Sequence, residues 1–196
     1  MASSDSAFTM GGGAGVWLFR ILLIAAAAYM AYTWFLPWWS ADVAVVEGTD
    51  DLVLHPWGVE VARQVRVAAD PSLYAMPGFF EPFVWIYFGL AMLALVAALF
   101  LNVRFPFGLP LAAVLILLVG LSYLITVGLA YYIGDMRAAG MDINFIGRSE
   151  YTDPMSHRKI RMESDLRDGY WYALYAGIAL VVLGLVRFIF VRQPKT

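Results

Sequence analysis

"GLPLAAVLILLVGLSYLITVGLAYYI", Gly108 to Ile133, runs 26 residues without a charged side chain. About 20 mostly apolar residues in a helix cross the roughly 30 Å of hydrocarbon in a bilayer. This stretch is long enough, and a helix satisfies its own backbone groups in lipid. Upstream lies the short link "RFPF", Arg104 to Phe107, and before it "FVWIYFGLAMLALVAALFLNV", Phe83 to Val103. So tight a link predicts an antiparallel hairpin of two spans. Pro110 falls near the first turn of the second, where its missing N–H costs nothing.

Two more stretches of the same kind lie further out. They are "VWLFRILLIAAAAYMAYTWFLPWW", Val16 to Trp39, and "YWYALYAGIALVVLGLVRFIFV", Tyr170 to Val191. None of the four alternates in polarity as a barrel strand would. The first is not read as a cleaved leader: no Lys or Arg precedes Arg20, its apolar run is too long, and Trp39 stands where a small residue is needed. The expected class is therefore an all-α integral membrane protein with four spans. Residues 1–15 and 192–196 are short tails. Residues 40–82 and 134–169 are long loops, which four spans place on one face.

Composition supports lipid as the solvent. The 196 residues are 62% hydrophobic and only 14% charged, against about a quarter charged in soluble domains. A core of this size cannot hide so many apolar side chains from water. A net charge of −2 excludes an electrostatic case for nucleic acid. With no cysteine, the chain has no disulfide, thiolate zinc site or thiol catalysis.

Eight basic residues fall on the loop side, diluted among fourteen acidic ones. The terminal side holds Arg20, Arg104, Arg187, Arg192 and Lys195 against Asp5 alone. The literal count of Lys and Arg favours cytoplasmic loops. The five terminal-side cations lie close to span ends, where the bias acts most strongly. Arg20 and Arg187 can both snorkel to the terminal face. The expectation is cytoplasmic termini and outside loops, in a prokaryotic plasma (inner) membrane. Trp34, Trp38, Trp39, Phe79, Phe80, Phe83, Trp85, Tyr131, Tyr132, Tyr170, Trp171 and Tyr172 gather at the loop-side boundary and read as an interfacial belt.

In the first loop, "DVAVVEG" and "LVLHPWGVEV" are β-branched and separated by "TDD", so they can pair as a hairpin. "VEVARQVRVAAD", from Val59, reads equally as a helix along the membrane. In the second loop, Asp153-Pro154 is a helix start. Lys159/Glu163, Arg161/Asp165 and Glu163/Arg167 are opposite charges four apart. Both features predict an amphipathic helix over about 154–168. Its charged side chains Arg158, Arg161, Asp165 and Arg167 are the candidates for docking a partner.

Chemistry leaves fainter traces. Met155, Met162 and His157 in the second loop, with His55 in the first, are the candidate copper ligands, since thioether and imidazole suit Cu(I). No spacing among them is a known ligand signature, and an exposed histidine is commonly just solvated. Neither histidine is on a span, which argues against an intramembrane haem. The spans carry no ionisable residue away from their ends. Thr33, Ser122 and Thr126 can bond back to their own backbone. No nucleophile elbow, P-loop, dinucleotide fingerprint or HExxH motif occurs. Ala94/Ala98, Ala173/Gly177 and Gly177/Gly184 are small residues at spacings that let helices approach closely.

The leading expectation is a non-catalytic accessory subunit of a larger membrane complex, touching lipid and other membrane-protein subunits. Its general look is similar to tetraspan subunits of respiratory and membrane oxygenase assemblies, and no motif singles one out. The rivals are a redox- or copper-linked membrane protein and a small-solute transporter.

Overall fold

Helices form where the apolar segments lie. The structure is a computed structural model that describes residues 13–43, 51–63, 75–101, 109–152 and 159–191. The helices are α1 (Gly13–Trp34), α2 (Phe80–Phe100), α3 (Leu111–Gly140) and α4 (Asp168–Val191). All four are long and apolar enough to cross a membrane. The link 104–107, the helix start at Asp153-Pro154, and most of both tails lie outside the described residues.

Most helix ends fall within three residues of expectation, and two differ by more. α1 stops at Trp34 rather than Trp39. Pro37 disfavours helical backbone at Leu36 and offers no N–H. The helix instead tightens, Phe35 N bonding Tyr32 O and Leu36 N bonding Thr33 O. α3 runs on past Ile133 to Gly140. Apolarity marks where lipid ends, not where a helix ends. Its 30 residues span about 45 Å, longer than the roughly 30 Å of hydrocarbon in a bilayer.

The bundle core includes Leu23, Met30, Trp34, Leu95, Ile116, Tyr123, Val127 and Leu180. α3 and α4 make the most extensive helix contact. Gly120 permits it: a Cβ there would stand 2.8 Å from Val181 N. Gly177 and Gly184 face Leu124 and Leu117 across the same seam, as their spacing predicts. Outward faces carry exposed Ile21, Leu93, Leu118, Ile125 and Ile189.

The hydroxyls inside the bundle are satisfied as expected. Thr33 Oγ1 donates to Met30 O at 2.9 Å, Ser122 Oγ to Val119 O at 3.0 Å, and Thr126 Oγ1 to Ser122 O at 2.9 Å. A hydroxyl has one proton to give. Tyr123 therefore donates to Thr33 across 2.9 Å, and Tyr87 donates to Ser122 across 3.0 Å.

The aromatic belt is only partly a belt. Phe79, Phe83, Tyr131, Tyr132 and Trp171 are exposed, but Trp34 and Trp38 are fully buried. Trp34 stacks on Phe88 at 4.6 Å and meets Tyr123 at 6.4 Å. Trp38 Nε1 donates to Thr33 O at 3.0 Å. These two rings close the loop-side end of the bundle.

The all-α expectation is overturned by a five-stranded antiparallel sheet on that end. Its strands are β1 (Trp39–Asp42), β2 (Leu52–His55), β3 (Gly58–Val61), β4 (Gly147–Thr152) and β5 (Lys159–Leu166), in the order β3-β2-β1-β5-β4. The hairpin expected in the first loop exists in altered form. Its first strand comes earlier, at Trp39, and "LVLHPWGVEV" is itself the β2–β3 hairpin. That strand also replaces the start of the alternative helix at Val59; residues 64–70 lie outside the described residues.

The helix expected over 154–168 is likewise corrected, since 159–166 is β5. "KIRMESDL" alternates charged with uncharged at every step. Charges four apart share a helix face, but they also share a strand face, because four is a multiple of two. Pairing decides between the two. Arg148 Nε lies 3.2 Å from Glu163 Oε1, and Lys159 Nζ lies 3.3 Å from Glu150 Oε2, so both partners come from the neighbouring strand.

The central pair β1–β5 extends the helices below it. α1 leads up into β1, and β5 leads down into α4 through Arg167 alone. Arg167 N donates to Trp38 O at 3.0 Å and Trp38 N to Leu54 O at 2.8 Å, continuing the ladder to the bundle. Gly169 lets α4 start against this junction: a Cβ would meet Pro37 O at 2.3 Å.

Candidate functional site

The sheet carries about half of the described charged side chains, and its two faces differ. Strand alternation puts Trp39, Ala41, Leu52, Leu54, Val59, Val61 and Met162 on one face. That inner face packs on Ala138, Ile143 and Phe145, from the end of α3 and the turn after it. Trp39 stacks on Phe145 at 5.3 Å and donates Nε1 to its carbonyl at 2.7 Å. Ser164 Oγ bonds the same carbonyl at 3.0 Å. Asp51, fully buried, accepts Val43 N on Oδ2 at 3.1 Å and ties the β1–β2 connection.

Between the inner face and α3 lies an apolar cleft of about 80 Å³. Met76, Met141 and Met162 all line it, with Trp39, Phe145 and Arg137. Arg137 Nη1 is 3.2 Å from Met76 Sδ, and Nη2 donates to Ala75 O at 3.2 Å. Neither Met76 nor Arg137 stood out in the sequence. The available signal was the run of helix formers from Met136 to Ala139, which carries Arg137 up beneath the sheet.

The other face is polar over β4 and β5. Arg148, Glu150, Lys159, Arg161, Glu163 and Asp165 are all exposed there. Arg161 stands opposite Glu150 in the register. Of the docking candidates, Arg161 and Asp165 lie on this face. Arg167 is committed to structure, its Nε donating to Ser40 Oγ at 2.6 Å. Arg158 lies outside the described residues. Both edges, β3 and β4, are short; Asn144 Nδ2 donates to Arg148 O of β4 at 3.1 Å.

The candidate copper ligands are not brought together as a set. Met162 is in the cleft, while His55 by alternation belongs to the opposite sheet face. His55 stacks on Trp57 at 4.7 Å, and Trp57 stacks on Trp85 of α2 at 5.4 Å. Its Nε2 is 3.9 Å from Glu60 Oε2. Met155 and His157 lie outside the described residues. Among the described residues, no three His, Asp or Glu side chains cluster.

These features define a class: a helical protein with four helices long and apolar enough to cross a membrane, joined at one end to a five-stranded antiparallel sheet. No family model matches the chain, and no curated protein matches it.

Proposed function

We propose that the chain is a non-catalytic accessory subunit of a larger membrane assembly, in a prokaryotic plasma membrane, with both termini cytoplasmic and the sheet outside. The observation that carries this is the sheet itself. Both long loops merge into one ordered platform, continuous with α1 and α4, with a charged ladder on its β4–β5 face. Such a platform suits electrostatically matched docking of a partner. The exposed apolar helix faces below suit lipid or neighbouring spans.

Native mass measurement in mild detergent tests it. The expected result is a species well above 21.8 kDa containing a different chain in fixed ratio. The combined variant Glu150→Lys, Glu163→Lys, Asp165→Lys should release that chain while the helices stay folded. A monodisperse monomer that retains its cellular role would overturn the proposal.

One observation favours a second reading, a copper-linked protein. Three thioethers line one cleft, and soft sulfur ligands select Cu(I). Competition titration with a Cu(I) chelator decides it. Metal-free behaviour of the pure protein, unchanged in Met141→Leu with Met162→Leu, would remove this reading.

A further inference from the structure

The terminal-side end of the bundle holds a buried charge that meets no counter-charge among the described residues. Arg187, on α4, is only 9% exposed. Its guanidinium lies 4.8 Å from the ring centre of Phe19 on α1. Nη2 reaches Leu101 O, at the end of α2, across a long 3.4 Å. Its buried Nε has no hydrogen-bond partner among the described residues. Next to Phe19 in the chain is Arg20, half-buried, with its guanidinium 5.6 Å from the Trp17 ring centre. Snorkelling alone would have left Arg187 in water; instead three helices enclose it.

A buried cation is costly unless paired. Neither arginine forms an ion pair among the described residues. The described acids all sit at the opposite end. Asp168 starts α4, and 19 residues of helix separate it from Arg187, about 28 Å. That distance nearly equals the hydrocarbon thickness, so Arg187 lies at the far headgroup boundary. Helix-dipole attraction at the α2 terminus offsets part of the cost, since the last carbonyls carry partial negative charge. No described residue supplies the anion that would neutralise Arg187.

We propose that Arg187 and Arg20 together bind the phosphodiester headgroup of an anionic phospholipid in the terminal-side leaflet. The surroundings favour a lipid over a free anion. Leu18, Ile21, Phe100 and Ile189 are exposed beside the two arginines, where acyl chains would lie. Basic pockets between spans are suited to anionic headgroups. This site is independent of any docking on the sheet.

The test uses the full chain in nanodiscs of phosphatidylcholine, with or without phosphatidylglycerol, and lipid-bound native mass spectra. Wild type should retain phosphatidylglycerol in preference to phosphatidylcholine and unfold at higher temperature with it present. Removing each charge should cost about fivefold in that preference. Arg20→Gln reports this without disturbing the buried position, and Arg187→Gln should cost more. Arg187→Lys keeps the charge and should retain part of the preference. Equal retention of both lipids by wild type overturns the proposal, as does an unchanged preference in folded Arg20→Gln with Arg187→Gln. Equal stabilisation by inorganic phosphate in phosphatidylcholine discs would assign the site to a free anion. Loss of a co-purifying chain in the variants, with lipid retention unaltered, would assign it to a partner's carboxylate.

Discussion

Thr33 and Tyr123 illustrate how a single proton sets the cost of a substitution. Thr33 gives its proton to Met30 O, so Tyr123 must be the donor between them. Thr33→Val strands the buried Tyr123 hydroxyl, an unsatisfied group costing about 1–3 kcal/mol. Tyr123→Phe removes the donor and leaves Thr33 still bonded, costing about 0.5–1.5 kcal/mol. Equilibrium unfolding in detergent should rank Thr33→Val below Tyr123→Phe, with the double variant no worse than Thr33→Val alone. The reverse order would contradict the donor assignment. Gly169 is a second point of tight control. A Cβ 2.3 Å from Pro37 O forces backbone to move, so Gly169→Ala should destabilise by about 1–3 kcal/mol. An unchanged unfolding midpoint would show that α4 does not start against Pro37. Both effects depend on residues distant in sequence, and so were illegible there. What was legible was that Thr33, Ser122 and Thr126 would turn to their own backbone, because that partner is always within reach.

At the scale of elements, β5 carries the sharpest test. The chain lacks cysteine, so single cysteines can be introduced one at a time along 159–166. A strand predicts alternation: positions 159, 161, 163 and 165 react with a water-soluble maleimide, while 162 and 164 are protected. Protection repeating every three to four residues would restore the helix. Helical charge spacing misled here because it is degenerate with strand spacing. The strict alternation of "KIRMESDL" was the better signal, but only a partner strand gives it meaning. α1 and α3 teach a related lesson. Their ends were placed by apolarity, which follows lipid contact, whereas Pro37 stops α1 early and no breaker stops α3 before Gly140.

For the whole molecule, the sheet links segments more than a hundred residues apart: Ser40 faces Asp165 in the register. Such pairing requires both loops to emerge on one side. A membrane-impermeant reagent should therefore label cysteines at Glu60 and Glu163 from the same side, and never from opposite sides. Labelling from opposite compartments would break the sheet and the four-span topology together. The number of helices long and apolar enough to cross a membrane needed no tertiary information. Lipid solvates any sufficiently long apolar run, and that depends on local composition alone. The sheet order, the cleft under it and the burial of Arg187 depend on which distant groups meet. Backbone pairing and charge burial are properties of neighbours in space, and only the assembled bundle supplies those neighbours.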